Sequence, residues 1–354
     1  MKLPFELNLK IIFRVVLPGL VVALALLPLT EATLQVLNAE DYKEAVFVAL
    51  ALIGGWVVLM LDMPIYMLYE GRRFWPSWLR SAFIQSEKNR LTHLLEIDRR
   101  YHEENPCVSF DDFKEAWFDI RRFPLDEKGY PVVRFPTRLG NLIASYEEYP
   151  DTRYSMDSIF FWPRIWVILD KDLREEIDSS QARADSALYT SFASYSLGLI
   201  YLVYTLLKLF GLSGVGGVDN ASFLTLLGIT LIGFGGGYLL YRLGLHPQAT
   251  YGEQFKAIFD IFHSKLDFSD ELRRVGEITD EVNLASAPLD EQINIVWRYL
   301  QYYRVKPPSA PHSVPVPEYL QKKAENMAPS IKTQPPSPPS PEESKSPPHY
   351  PTDE

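Results

Sequence analysis

Four long apolar runs alternate with polar regions along the chain. They cover residues 11–29, 45–66, 189–210 and 223–241, and each contains few charged side chains. An α-helix needs roughly 20 mostly apolar residues to cross the hydrocarbon core of a bilayer. The pattern therefore predicts an all-α membrane protein whose four transmembrane helices form two hairpins.

Two other interpretations of these runs are weaker. Buried helices of a soluble protein seldom exceed about 15 residues without a polar stripe. The first run has the basic start of a secretory signal peptide, but no small-residue cleavage site follows Leu29. Residues 31–44 lead directly into the second run, which favours a hairpin.

Basic residues at the ends of the runs indicate an orientation, because they concentrate on the cytoplasmic side of a membrane. The hairpin loop after the first run has four acidic residues against Lys43, and the loop after the third run has no basic residue. We therefore expect a multi-pass protein of the cell (inner) membrane with both termini in the cytoplasm. The basic residues on the cytoplasmic side are Lys2, Lys10, Arg14, Arg72, Arg73, Arg80, Arg242 and Lys256.

The runs divide the chain into five parts. The predicted parts are a first hairpin (1–69), a mainly helical cytoplasmic region (70–188), a second hairpin (189–243), cytoplasmic C-terminal helices (244–305) and a tail (306–354). The tail is rich in Pro and Ser and cannot bury a core, so we expect it to be disordered.

The segment 136–166 is the most distinctive part of the cytoplasmic region. It reads PTRLGN, then Tyr154-Ser-Met-Asp157, then FFWPRIW. These strings, in this order between two hairpins, resemble a family of uncharacterised bacterial multi-pass membrane proteins. The resemblance implies a bacterial membrane setting and no particular activity. The candidate functional or structural residues of this motif are Arg138, Asn141, Arg153, Asp157, Trp162, Arg164 and Trp166.

Polar and small residues inside the runs suggest further sites. Asp62 lies near the cytoplasmic end of the second run, where a carboxylate is costly and is by default a functional hypothesis. The alternative, which we favour, is an interface position with an ion pair to Arg14, Arg72 or Arg73. Small residues four apart allow close packing between the third and fourth helices or between protomers, or else they line a polar pore. They are Ser194, Gly198, Gly233 and Gly237.

Composition narrows the function without defining it. The net charge of −10 argues against nucleic-acid binding, which needs a basic surface. The single cysteine, Cys107, permits no intramolecular disulfide, and no Cys/His spacing suits zinc. No phosphate-binding loop, nucleophile elbow or zinc-protease motif is present. We therefore predict no catalytic residues, cofactor or metal.

Three functions remain open from the sequence. The first is a membrane-anchored cytosolic interaction or signalling module. The second is an oligomeric ion channel or transporter with a bestrophin-like layout, and the third and weakest is a membrane-bound enzyme with a cleft around Arg138, Asn141, Arg153 and Asp157. The expected partners are the lipid bilayer, a second copy of the chain, and a cytosolic protein bound through the middle region or the proline-rich tail.

Overall fold

The computed structural model describes residues 9–103, 108–126, 128–211, 221–279 and 286–302. Within these ranges every regular element is helical, apart from an isolated bridge between Leu125 and Pro131. The prediction of a mainly helical chain with four long apolar helices is confirmed. The predicted disordered tail, 306–354, and most of the second hairpin loop, 212–220, lie outside the described residues.

The α-helices are numbered here in chain order. A π-helical segment, Ile12–Val16, joins the first to the second, and 3-10 turns occupy Glu40–Tyr42 and His263–Lys265. The helices are α1 (Leu9–Ile11), α2 (Leu17–Val36), α3 (Lys43–Met60), α4 (Asp62–Glu70), α5 (Ser77–His102), α6 (Phe110–Ile120), α7 (Arg138–Glu147), α8 (Tyr149–Tyr154), α9 (Ser158–Ile168), α10 (Lys171–Leu209), α11 (Phe223–Phe262), α12 (Ser269–Thr279) and α13 (Leu289–Tyr302).

Side-chain caps determine where several helices begin. Ser109 and Asp112 form a reciprocal capping box at the start of α6. Thr137 accepts a hydrogen bond from the Gly140 N–H at the start of α7, and Asp170 caps α10 in the same way. Each cap satisfies one of the backbone donors that the first helical turn leaves without a partner.

The four helices long enough to cross a membrane comprise α2, α3, α10 and α11. We call the apolar, membrane-length part of each helix a candidate span. Helices α10 and α11 contain 39 and 40 residues. At 1.5 Å per residue each is about 60 Å long, roughly twice the thickness of a hydrocarbon core. About half of each helix therefore extends beyond a span, and α10 runs as one helix from Lys171 into the third apolar run.

The second run is divided between two helices rather than one. Helix α3 ends at Met60 and α4 begins at Asp62. Pro64 explains the break, because proline has no N–H for the carbonyl of the fourth preceding residue and its ring clashes with that carbonyl. That residue is Met60, the last residue of α3.

Glycines allow the candidate spans to pack at very short distances. A Cβ atom on Gly19 would lie 1.9 Å from the Ala51 carbonyl oxygen, and one on Gly55 would lie 2.0 Å from the Val15 carbonyl oxygen. Backbones this close are possible only where no side chain intervenes. The contact holds α2 against α3 as one hairpin.

Helices α10 and α11 meet along a second row of small residues, which we call the glycine seam: Ser194, Gly198, Gly233 and Gly237. A Cβ atom on Gly233 would lie 2.5 Å from Gly198 Cα and 3.0 Å from the Ser194 carbonyl oxygen. A Cβ atom on Gly237 would lie 2.9 Å from the Tyr195 ring. The seam is thus a direct helix contact within one chain.

Beyond the candidate spans, the extensions of α10 and α11 pack with α7, α8, α9, α12 and α13. We call this assembly the body. Its core is apolar and largely excluded from solvent. The body's central side chains include Leu139, Ile143, Phe161, Ile165, Ile177, Phe259, Ile293 and Val296. Because α10 and α11 belong to both parts, the body is continuous with the candidate spans.

Gly233→Ala is expected to destabilise the protein by about 1–3 kcal/mol, the usual cost of forcing an extra methyl group into a packed interface. Gly235→Ala is the matched control, since Gly235 is exposed on the same helix and a Cβ atom there meets nothing within 4 Å. The control should be neutral or stabilising by up to about 1 kcal/mol, because alanine favours the helix. Thermal unfolding of the detergent-solubilised variants measures both. Equal melting temperatures for the two variants would contradict a close helix contact at Gly233.

Candidate functional site

A buried ionic network joins the N-terminal helices to α10. Arg14 donates from Nε to an Asp185 carboxylate oxygen at 2.8 Å, and its Nη2 lies 2.7 Å from the same oxygen. Its Nη1 donates to Asp178 at 3.3 Å, and Lys10 pairs with Asp178 as well. Tyr66 of α4 donates to the other Asp185 oxygen at 2.5 Å. Asp185 is only 3% exposed, so its carboxylate depends on these donors in place of water.

Arg14 lies in the π-helical segment that precedes α2. Pro18, four residues later, has no N–H to donate to the Arg14 carbonyl. The backbone changes locally to bonds between residues five apart, such as Leu17 N–H to the Ile12 carbonyl. Such π-helical turns occur frequently at functional sites in proteins.

Asp62 does not form the expected ion pair with an arginine. It accepts a hydrogen bond from the Tyr189 hydroxyl at 2.6 Å. Arg14 is engaged by Asp178 and Asp185, and Arg72 pairs with Glu70 and Glu147 instead. The interpretation of an Asp62–arginine pair was therefore wrong, because nearer carboxylates occupy two of the three candidate arginines.

Asn141 of the PTRLGN string has a structural role in the body. Its side-chain oxygen accepts from the backbone N–H groups of Arg134 and Phe135 at 3.0 and 2.9 Å. Its amide nitrogen donates to the carbonyls of Phe135 and Thr137. Asn141 is 0% exposed, and these four bonds hold the loop that precedes α7 against the start of that helix.

The other polar residues of the motif do not converge on one cleft. Asp157 caps α9 by accepting from the Phe160 N–H at 2.9 Å. Arg153 is exposed on α8, and Arg138 lines a separate cavity near the candidate spans. With Asn141 fully buried, these side chains do not form the cleft that the enzyme hypothesis requires.

The aromatic residues of the motif belong to the body's core. Trp162 packs on Phe255 and Phe259 of α11, with ring centroids 4.6 and 6.2 Å apart, and lies 5.6 Å from Trp166. Arg164 lies over the Phe160 ring at 3.6 Å and donates to the Phe160 carbonyl. FFWPRIW therefore joins α9 to α11.

The body contains a pocket of 440 Å³ with a strongly acidic lining, which we call the acidic pocket. The turn between α7 and α8, the start of α9 and a face of α13 form its walls. Four carboxylates line it against one arginine. Its lining residues are Arg72, Phe135, Glu147, Glu148, Asp151, Ser155, Asp157, Ser158, Ile159, Asn294 and Trp297.

Arg72 connects the acidic pocket to the end of α4. It pairs with Glu70, donates to Glu147 at 3.0 Å, and lies over the Phe135 ring at 4.7 Å. Burial raises the pKa of Glu70 to about 7 in spite of Arg72, and Glu147 adds to the shift. Burial also raises the pKa of Glu147, against the opposing effect of Arg72.

Sequence reasoning singled out Asp157 but missed the rest of the acidic pocket. The signal available was the run Glu147-Glu148-Tyr-Pro-Asp151, whose proline turn gathers three carboxylates. Arg72 and Trp297 come from distant parts of the chain, so no local pattern could have placed them. Among the described residues, no three His, Cys, Asp or Glu side chains cluster closely enough to hold a metal ion.

Comparison with protein-family models, with curated proteins and with solved structures gave no match to the chain. The family resemblance of residues 136–166 therefore stays a prediction.

Glu70→Gln is expected to change how stability depends on pH. The Glu70 carboxyl ionises near its usual value of 4.5 in the unfolded chain and at about 7 in the folded chain. Stability should therefore fall as pH rises between these values, because the unfolded state releases the proton first. Chemical unfolding at several pH values should show a flatter profile for the variant. Exposed Glu115→Gln is the control, and an unchanged slope in the Glu70 variant would contradict this assignment.

Proposed function

We propose that this chain is a membrane-anchored interaction module whose acidic pocket binds a basic segment of a cytosolic protein. In this proposal four helices cross the cell membrane. The body and both termini of the chain lie in the cytoplasm. The observation that carries the proposal is the acidic pocket, a concave site of 440 Å³ on the helical body.

The charges and rings of the acidic pocket suit an arginine- or lysine-rich ligand. Arg72 and Arg134 engage Glu147 and Glu148, at 3.0 and 3.3 Å. Asp151 forms no ion pair with any described residue. The lining already holds one cation–π contact, of Arg72 with the Phe135 ring, so its aromatic surroundings are compatible with basic side chains. Complementary charge of this kind increases association rates and selects partners.

The membrane placement is supported by the candidate spans and by the distribution of charge. The helices of both hairpins are long and apolar enough to cross a bilayer. Acidic residues dominate the loop between α2 and α3. In contrast, Arg72 and Arg73 follow α4, and Arg242 lies in the middle of α11. Under the positive-inside rule, the body then lies in the cytoplasm.

The continuity of α10 and α11 supports a signalling role for such a module. Both helices run from the candidate spans into the body without a break in helical structure. A partner that moved the body would therefore act directly on the candidate spans.

An oligomeric channel is the second proposal. The glycine seam leaves no space between α10 and α11 for an added methyl group, let alone an ion. An ion path would therefore have to run between copies of the chain. We rank the channel lower because this close contact closes the route between α10 and α11 within one chain.

A photo-crosslinking residue at Ile159 tests the interaction directly in living cells. Ile159 lines the acidic pocket and is 79% exposed. Val167, on the same helix, is 74% exposed but lies outside the pocket, so it is the matched control. We expect a discrete crosslinked protein from position 159 alone. Asp151→Lys should abolish that product, while Glu115→Lys, an exposed charge reversal on α6, should leave it unchanged.

Three results would contradict the proposal. The first is the same products from positions 159 and 167, and the second is a product that persists in the Asp151→Lys variant. The third is labelling of Ile159→Cys, in a Cys107→Ser background, by a membrane-impermeant maleimide in intact cells, which would place the body outside.

A further inference from the structure

A second cavity lies where the candidate spans meet the body. Its volume is 880 Å³, in the upper part of the range of about 300–1,000 Å³ for small-molecule sites. Helices α10 and α11 form one wall, the end of α4 and the start of α5 form another, and the start of α7 closes the body end. We call it the amphipathic cavity because its two ends differ in chemistry.

The end toward the candidate spans is apolar. Its lining includes Phe192 and Leu199 of α10 and Phe234 of α11. Leu199 is 57% exposed, so the cavity opens sideways toward the surface that would face the bilayer. An opening of this kind admits an acyl chain directly from the membrane.

The end toward the body carries two arginines, Arg138 and Arg242, and one carboxylate, Glu87. Within the described residues Arg242 forms no hydrogen bond or ion pair. Arg138 has one long ion-pair contact there, 3.9 Å from its Nε to a Glu87 oxygen. Glu87 is bound more closely by Arg90, whose Nη2 lies 2.9 Å from it. The two cavity arginines are therefore poorly neutralised by the protein.

Both burial and neighbouring positive charges disfavour the charged form of Arg138. Burial lowers the pKa of Arg138, and repulsion from Arg90 and Arg242 lowers it further. Glu87 and Asp119 oppose the shift without cancelling it. An anion bound between Arg138 and Arg242 would relieve this repulsion.

The spacing of the two ends matches a lipid rather than a free anion. Phe234 and Arg242 are eight residues apart on α11, about 12 Å along the helix axis. A phosphate group alone would contact the arginines and leave the apolar half unoccupied. A phospholipid satisfies both ends, because its charged headgroup and its acyl chains are joined in one molecule.

Phe74 at the rim of the cavity adds a strained feature. It has a φ of 67°, in the left-handed region that bulky residues avoid, and its side chain is 72% exposed. The next residue, Trp75, is fixed by a hydrogen bond from its Nε1 to the Leu68 carbonyl at 2.8 Å. Strain of this kind persists where the surrounding structure imposes it, frequently at ligand sites.

We infer that the amphipathic cavity binds one anionic phospholipid, with its phosphate between Arg138 and Arg242 and its acyl chains against Phe192, Leu199 and Phe234. The inference rests on the membrane placement proposed above but not on binding of a cytosolic partner. The two proposals therefore fail separately, since loss of an Arg242 side chain leaves the acidic pocket intact.

Native mass spectrometry of the full chain in detergent tests the inference. The probes are phosphatidylglycerol and phosphatidylcholine with identical acyl chains. We expect one phosphatidylglycerol per chain to bind at least about tenfold more tightly than phosphatidylcholine. Arg242→Gln should weaken phosphatidylglycerol about fivefold, the effect of one arginine on binding to an anionic lipid surface. Arg138→Gln should add a similar loss.

The control variant is Arg73→Gln. Arg73 is exposed and directly precedes the cavity residue Phe74 in the chain, but it does not line the cavity. It should bind phosphatidylglycerol as the parent chain does. Ser196→Phe, which fills part of the apolar half, should weaken both lipids. If Arg138→Gln does not fold, Arg242→Gln decides alone, since its exposed side chain supports no described contact.

Three outcomes would overturn the inference. They are equal binding of the two lipids, equal losses in the Arg73 and Arg242 variants, and displacement of the lipid by millimolar glycerol 1-phosphate. The last result would indicate a site for free phosphate compounds. Retention of the lipid at that concentration supports the phospholipid as the occupant.

Discussion

The ion pair between Arg14 and Asp185 is the interaction on which the arrangement of the candidate spans depends. Arg14 belongs to the N-terminal hairpin, whereas Asp185 belongs to a helix that continues into the body. A carboxylate that is 3% exposed is tolerated only if donors replace the water it loses, and Arg14 and Tyr66 supply them from two different helices. Together these bonds tie the π-helical segment before α2, and α4, to α10.

Both candidate sites lie around the junction that this network helps to hold. Helix α4 ends at Glu70, next to Arg72, which reaches α7 and the acidic pocket. The residues immediately before Glu70 line the amphipathic cavity on another side. A change in the position of α4 would thus alter both sites together. This gives a physical route by which a bound lipid and a bound protein would influence each other.

The number and approximate positions of the long helices followed from simple patterns in the sequence. Run length indicated four apolar helices, and the loop charges indicated two hairpins. The break at Leu61 could have been expected from Pro64, but a run that stays apolar through residue 66 conceals it. The partners of Asp62 and Arg14 could not be predicted, because they depend on which of several nearby charges come within about 3 Å after folding.

The candidate sites show the same limit more clearly. The motif residues 136–166 attracted notice for their unusual composition, yet Asn141 and Trp162 serve packing and loop geometry. The acidic pocket combines Arg72, the run at 147–151 and Trp297, which are separated by up to 225 positions in the chain. Local periodicity does not indicate which distant residues come into contact in the fold. Charge alone does not reveal them either, since acidic residues occur along most of the chain.

A double-mutant cycle at Arg14 and Asp185 tests the central claim most directly. The variants are Arg14→Met, Asp185→Asn and the pair together, with the free energy of unfolding measured in mixed micelles. Removal of either partner should cost about 3–5 kcal/mol, because the other charge stays buried without its main partner. The double variant should lose less than the sum of the single losses by roughly 1–3 kcal/mol. Losses that add within about 0.5 kcal/mol would contradict the account.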